Sequence, residues 1–326
     1  MKLASFAAEG SDRIGVQAPG GELIDVADLL RAAGSTRQAP DDMMALIRAG
    51  EPLLNALRDA MATASGKVLS FNPDEVDWHP PVRTPSKVVC IALNNRALDK
   101  IKIRAPTDHP AFFLKPFTAL TGHRTAVQLR KAYGLTHPEP ELCVVIAQRL
   151  KDASAETTLD AVFGYSILND ITCVGMREED SFSVRTFKPG PTPGQVTVGE
   201  AHTSYPGRYK ASDTFAPMGP WLVTRDEIPD PATLKIECRM GDRLVAYDHS
   251  KNYVWGVAQA LAHISRTMTL LPGDVVSMGT AVGGNEDDPN APDVPGVTRA
   301  DLNGFDREVN VTIARIGTLT NSIQMI

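Results

Sequence analysis

Apolar and polar residues alternate with a period of two in many short runs of this chain, and with a helical period in only a few. Lys2 to Phe6, Arg13 to Val16 and Glu22 to Val26 read as short strands, parted by turn residues at Glu9-Gly10-Ser11-Asp12 and Gly20-Gly21. Helical spacing follows over Val26 to Ala33 and Asp41 to Ser65, the second with Asp41 as the predicted N-cap. Residues 72–86 hold Pro73, Pro80, Pro81 and Pro85 and read as an extended connector. That connector divides a small N-terminal unit of mixed strands and helices, 1–80, from a main unit, 81–326.

In the main unit Lys87 to Leu93 is an apolar strand, and Asn94 to Pro110 is a polar, exposed excursion long enough to serve as a lid. Ala111 to Leu114 is a further strand ended by Lys115-Pro116, where Lys115 reads as a strand cap or as the neighbour of a site. Leu142 to Ala147 and Ala161 to Leu168 are apolar on both faces, the pattern of buried strands. Arg177 to Tyr209 includes Pro189-Gly190-Pro191-Thr192-Pro193-Gly194 and reads as an irregular inserted loop. Ala216 to Thr224 is a turn running into a strand, and Thr233 to Met240 with Arg243 to Tyr247 form a hairpin about Gly241-Asp242. Tyr253 to Met268 is an amphipathic helix with Val254, Val257, Leu261 and Ile264 on one face. Val275 to Met278 is a strand that ends at Gly279-Thr280, residues 281–306 are polar loop, and Glu308 to Ile316 is the last strand. With 25 Gly and 24 Pro, the chain suits many short strands and turns better than a helical bundle. The pattern predicts an α+β, β-rich fold.

Composition narrows the function classes. Apolar content of 43% and charged content of 22% are those of an ordinary globular domain. A net charge of −6 and a pI near 5.7 argue against nucleic acid or an anionic membrane as partner. No run reaches the roughly 20 apolar residues of a membrane span, and the first residues hold too short an apolar stretch for a signal peptide. A cytoplasmic protein is the expectation. Cys90, Cys143, Cys173 and Cys238 are scattered and lack Cys-x-x-Cys spacing, so they read as reduced core residues rather than a zinc site or disulfide framework.

The chemistry concentrates in residues 136–173. Glu139 and Glu141 stand just before a buried run, and in a strand residues i and i+2 share a face with Cα atoms roughly 7 Å apart. Two carboxylates that close repel each other in a low dielectric, so one is protonated or a cation lies between them. Asp170 supplies a third carboxylate at the end of the next apolar run. Three carboxylates at strand ends make an all-oxygen set suited to Mg²⁺, Mn²⁺ or Ca²⁺ rather than zinc. The plainer alternative is a solvated strand edge.

Four segments together resemble the fumarylacetoacetate hydrolase superfamily over roughly residues 83–317. They are Glu-Pro-Glu-Leu-Cys-Val-Val-Ile, Gly-Tyr-Ser-Ile-Leu-Asn-Asp-Ile-Thr, Lys-Ala-Ser-Asp-Thr-Phe-Ala-Pro-Met-Gly-Pro-Trp-Leu-Val-Thr, and Thr-Leu-Leu-Pro-Gly-Asp-Val-Val-Ser-Met-Gly-Thr. The likeness is to bacterial members of the 2-hydroxyhepta-2,4-diene-1,7-dioate isomerase and acylpyruvate hydrolase kind. It implies a β-rich mixed-sheet roll around one divalent metal, usually Mg²⁺ or Mn²⁺, in a homodimer. It also implies metal ligands at Glu139, Glu141 and Asp170, an active-site lysine at Lys210, and substrate binding at Gly279 and Thr280. The implied substrate is a 2-oxo or 2,4-dioxo acid cleaved by C–C hydrolysis through a metal-stabilised enolate. Isomerisation, tautomerisation or hydration of 2-hydroxydienoate or 2-oxoenoate acids is the alternative, and non-catalytic binding a third.

Two departures from the family pattern bear on the reaction. Hydrolytic and decarboxylating members carry Asn-Tyr-x-x-His-x-x-Glu, a dyad that activates water. Here the stretch is Asn94-Asn95-Arg96-Ala97-Leu98-Asp99-Lys100-Ile101, with Leu98 and Ile101 at the dyad positions. Many members also carry Asn-Asp-x-Thr-Ala-Arg-Asp, whose arginine holds the substrate. Val174 stands in its place, and Arg177, three residues on, is the candidate replacement cation. His109, His123 and His137 are candidate replacement bases, His123 the one assigned a catalytic role.

Overall fold

Twelve strands hydrogen-bond into one mixed sheet. Its main path runs Ser70–Phe71, Leu23–Asp25, Ser11–Gln17, Lys2–Ala8, Ala216–Thr224, Val162–Asn169, Pro140–Ile146, Val275–Thr280, Val88–Ala92, Ala111–Lys115. These neighbours are antiparallel except Val275–Thr280 with Val88–Ala92, which are parallel. Arg243–His249, Lys235–Met240, Val309–Ile313 and Gly317–Asn321 form a second, four-stranded sheet. The computed structural model describes residues 1–64, 67–100, 102, 105–282 and 300–326. The β-rich α+β architecture read from the pattern is the one observed. The main sheet also runs across the 80/81 division, because Lys2–Ala8 pairs with Ala216–Thr224 through Lys2↔Val223 and Leu3↔Leu222.

Burial on both faces explains the continuous apolar runs. In Pro140–Ile146 every residue is buried, and so is every residue of Val162–Asn169. Leu142, Val144 and Ile146 point into one core with Tyr165, Ile167 and Val276. Cys143 and Val145 point into the other, beside Leu29, Leu46 and Leu54 of the N-terminal helices. Each fully buried aliphatic side chain contributes about 1.5–3 kcal/mol relative to exposure. The two strands that deliver the carboxylates are therefore held from both sides. All four cysteines are free and buried, as the lack of motif spacing predicts.

The structure corrects several local readings. The helical run from Asp41 to Ser65 is two helices, Met43–Ala49 and Glu51–Thr63, broken at Gly50 with φ 61°. Asp42 rather than Asp41 caps the first, its carboxylate accepting from the Ala45 amide at 2.7 Å. Residues 177–209 are not irregular: Val174–Glu179 is a helix, and Ser181–Pro189 pairs with Val196–Ser204 as a hairpin that leaves Phe187 68% exposed. The prolines and glycines only make its turn. The helix expected from Tyr253 begins at Val257, because Asn94 binds this stretch first, its side chain accepting from the Trp255 amide and donating to the Trp255 carbonyl. Asn94 and Asn95 are buried, so the base of the excursion is anchored rather than exposed. The last strand is Val309–Ile313, followed by a turn with Arg315 at φ 68° into Gly317–Asn321. Of the loop expected over 281–306, residues 283–299 lie outside the described residues, and Ala300 and Leu302 are buried.

His123 belongs to this framework. Its ring packs edge-on against Trp78, centroids 5.2 Å apart, and its Nδ1 accepts from the Thr320 amide at 3.0 Å. Burial, with Arg124 adding to it, lowers the imidazole to about 4. In an unfolded chain the group titrates near 6.5. The folded state thus disfavours the charged form, and the stability this gives is complete above pH ~6.5 and lost as pH falls towards 4, roughly 3 kcal/mol in all. Melting temperature measured between pH 7 and 4 is expected to fall less steeply in His123→Leu than in the parent. Parallel curves would contradict this placement.

Candidate active site and metal centre

A β-bulge sets the centre of the site. Pro140–Ile146 pairs with Val275–Thr280 through Cys143↔Ser277 and Glu141↔Thr280, so Met278 and Gly279 together face one residue. Such a bulge needs a residue that tolerates positive φ, and Gly279 sits at φ 96°. Its amide is released from the ladder and donates instead to Glu141 Oε2 at 3.1 Å. The Leu142 amide, released likewise, donates to the Tyr253 hydroxyl at 3.3 Å.

Each of the three carboxylates is tied down through one oxygen. Glu141 Oε2 accepts from Ser277 Oγ at 2.5 Å as well as from Gly279. Glu139 Oε1 accepts from Thr172 Oγ1 at 2.7 Å and lies 3.1 Å from His137 Nε2, positions set by the Thr136–His137 and Thr172–Cys173 strand pair. Asp170 Oδ1 accepts from Lys115 Nζ at 2.5 Å, and that ammonium also donates to the Phe215 carbonyl at 2.7 Å. The second oxygens face inward. Lys210 Nζ donates to Glu139 Oε2 at 2.9 Å and to Asp170 Oδ2 at 2.6 Å, while Glu141 Oε1 takes no hydrogen bond from a described residue. One oxygen from each of the three lies within 4.8 Å of the others. Three converging, individually oriented carboxylate oxygens fit a hard divalent cation such as Mg²⁺ or Mn²⁺.

The electrostatics follow from burial. Glu141 is pushed well above the usual carboxylate range by burial and by the neighbouring Asp170 and Glu139. Burial also raises Glu139, but the Lys210 ammonium and the His137 contact outweigh it and hold the group below its usual range. Lys210 is itself held above the usual lysine range: burial opposes its charge, yet Asp170, Glu139 and Glu141 more than offset this. Counting Lys115, two ammoniums stand against the three carboxyl groups of the cluster.

The cluster forms the floor of a cavity of about 410 Å³. Lys210 reaches it from the short helix Arg208–Ala211, with its ammonium 5.1 Å from the Phe113 ring centre. Thr280, Arg177, His137 and Ser204 also line the cavity, and Leu93, Leu98, Phe112 and Val282 give it an apolar side. The structure therefore brings together Glu139, Glu141, Asp170, Lys210, Thr280 and Arg177. It does not bring His123, which lies under Trp78. Gly279 touches the site through its amide on Glu141, and the close approach it permits is to Asn94 and the Ile91 carbonyl. Leu98, at the position of the family's dyad histidine, lines the cavity, while Ile101 lies outside the described residues. Lys115 is more central than its sequence context indicates, since a lysine before proline at a strand end carries no signal of burial.

Residues 87–324 match the family model described as fumarylacetoacetate (FAA) hydrolase C-terminal. The mitochondrial oxaloacetate tautomerase FAHD2B of Bos taurus is 29% identical over 286 residues, covering 87% of this chain and 82% of that protein. The structure of maleylpyruvate hydrolase from Sphingobium sp. SYK-6, in complex with manganese(II) and pyruvate, superposes with a TM-score of 0.69 at 27% identity, covering 100% of this chain and 99% of the other. That of 2-hydroxyhepta-2,4-diene-1,7-dioate isomerase from Mycobacterium marinum gives a TM-score of 0.62 at 25% identity, covering 100% and 98%.

The bulge can be tested directly. A Cβ on Gly279 would lie 2.8 Å from Asn94 Cβ, on a backbone at φ 96°. Gly279→Ala is expected to cost about 2–3 kcal/mol in chemical denaturation. An unchanged midpoint would show that the bulge is not rigid.

Proposed function

The chain belongs to the fumarylacetoacetate hydrolase family, and we propose that it is a divalent-metal-dependent enzyme that moves a proton on the carbon beside a 2-oxo group, a keto–enol isomerisation of 2-oxo acids. The carrying observation is the cavity itself: a floor of three tethered carboxylates and Lys210 below an apolar side formed by Leu93, Leu98, Phe112 and Val282. Glu139, Glu141 and Asp170 would hold Mg²⁺ or Mn²⁺, which supplies Lewis-acid stabilisation of the charge that builds on the 2-oxo oxygen. Lys210 adds a positive charge at the same floor, fixed in place by two carboxylates. The Thr280 hydroxyl can donate to a substrate carboxylate, and Arg177 offers a guanidinium at the cavity wall for a second acidic group. Leu98 cannot carry a proton, so nothing at its position activates water. Isomerisation needs the enolate-stabilising half of the site and a carrier that takes the proton from carbon and returns it to the 2-oxo oxygen, but no activated water. The carrier's role is open to the cavity-lining His137 imidazole.

C–C hydrolysis of an acylpyruvate is the second reading. It is favoured by His137, the one imidazole among the described lining residues, whose Nδ1 has no hydrogen-bond partner. A cytoplasmic homodimer is part of either proposal.

Enol absorbance of a 2-oxo acid such as oxaloacetate, followed with Mn²⁺ present, is expected to relax faster with protein, with no cleavage of an acylpyruvate. Cleavage products at a comparable rate would favour hydrolysis, and loss of both activities would leave a non-catalytic binder. Lys210→Ala is expected to lower turnover by more than about tenfold. Glu141→Ala is expected to lose stoichiometric Mn²⁺, and retention of both metal and activity would overturn the assignment.

A further inference from the structure

We infer that Lys115 is a positioning residue that keeps Asp170 a one-oxygen ligand and reserves positive charge for an anionic substrate. This rests on the reading of Glu139, Glu141 and Asp170 as the metal site. Both Asp170 oxygens meet an ammonium, but the two lysines differ in kind. Lys210 lines the cavity. The Lys115 side chain is 0% exposed, does not line it, and is held at a second point by the Phe215 carbonyl. Its strand, Ala111–Lys115, hydrogen-bonds across to Val88–Ala92 through Val88↔Lys115, so the backbone behind the ammonium belongs to the main sheet.

Two consequences follow. Oδ1 of Asp170 is committed to the buried Lys115, so a cation would take Oδ2, the oxygen that the cavity-lining Lys210 now holds at 2.6 Å. The charge balance also changes: three carboxylates against two ammoniums leave about one negative charge, which a dication converts to about one positive charge. Without Lys115 the loaded site would be near neutral and would attract a carboxylate substrate less. A fixed ammonium one carboxylate away from the ion also weakens the ion's own binding, since like charges repel, the more so out of bulk water. Lys115 thus trades cation affinity for anion affinity.

The test uses the full chain with Mn²⁺ alone and then with oxalate as a 2-oxo-acid mimic. In Lys115→Met, calorimetric Mn²⁺ affinity is expected to rise by about threefold or more, as Oδ1 of Asp170 is released and a like charge disappears. Oxalate affinity for the Mn²⁺-loaded variant is expected to fall by about tenfold. The Mn²⁺ electron-paramagnetic-resonance line shape should change with the altered Asp170 coordination. Lys115→Gln, which keeps a donor and drops the charge, must move the two affinities in the same opposite directions and substitutes if the Met variant does not fold. A role in stability alone would lower the melting temperature and leave both affinities and the line shape as in the parent, which would overturn the inference. If the parent itself binds no Mn²⁺, the reading of the metal site fails. If the parent binds Mn²⁺ and oxalate and neither variant shifts them, only the role of Lys115 fails.

Discussion

Mutual repulsion among three carboxylates, two of them buried and Glu139 half-buried, is the constraint that the rest of the site answers. Two unit charges 4 Å apart repel by about 4 kcal/mol at an effective dielectric constant of 20, and Glu139, Glu141 and Asp170 present three such pairs. The fold meets that cost with positive charge and directed donors. Lys115 takes one face of Asp170, Lys210 bridges Asp170 and Glu139, and Ser277 with the Gly279 amide holds Glu141. Glu141, the one without an ammonium, is the one pushed towards its protonated form.

That arrangement is only as exact as the strands that carry it. Glu139 and Glu141 lie at one end of Pro140–Ile146, Asp170 follows Val162–Asn169, and the two strands pair from Pro140↔Asn169 onward. Cores on both faces prevent a register slip, which would send every side chain to the opposite face. The bulge at Gly279 then converts a ladder amide into a ligand for Glu141 without disturbing the pairing further in.

Much of this was legible in the sequence, for identifiable reasons. Two-sided apolar runs marked the buried strands, and the i, i+2 spacing of Glu139 and Glu141 marked a shared face. Reading Asp170 into the same cluster took only its position at the end of the next buried run. Lys115 stands in sequence as a strand cap or the neighbour of a site, but its pairing with Asp170 is hidden because that partner is 55 residues away and the sheet alone joins them. The same holds for His123, whose short spacing from the site segments conceals a side chain turned into the packing of Trp78. The hairpin of Ser181–Pro189 and Val196–Ser204 was obscured by its turn, where prolines and glycines outweighed the flanking alternation. Cap identity failed by one residue, since Asp41 and Asp42 differ only in which carboxylate reaches the Ala45 amide.

The central claim is that three carboxylates, each anchored to the fold through one oxygen, converge through their second oxygens, two of which Lys210 bridges, on a site for one divalent ion. Anomalous diffraction from a crystal soaked with Mn²⁺ and oxalate tests it most directly. The account predicts a single Mn²⁺ peak within about 2.0–2.3 Å of one oxygen each from Glu139, Glu141 and Asp170, with Lys115 still on the other Asp170 oxygen. A peak elsewhere, or none between these residues at saturating Mn²⁺, would contradict it.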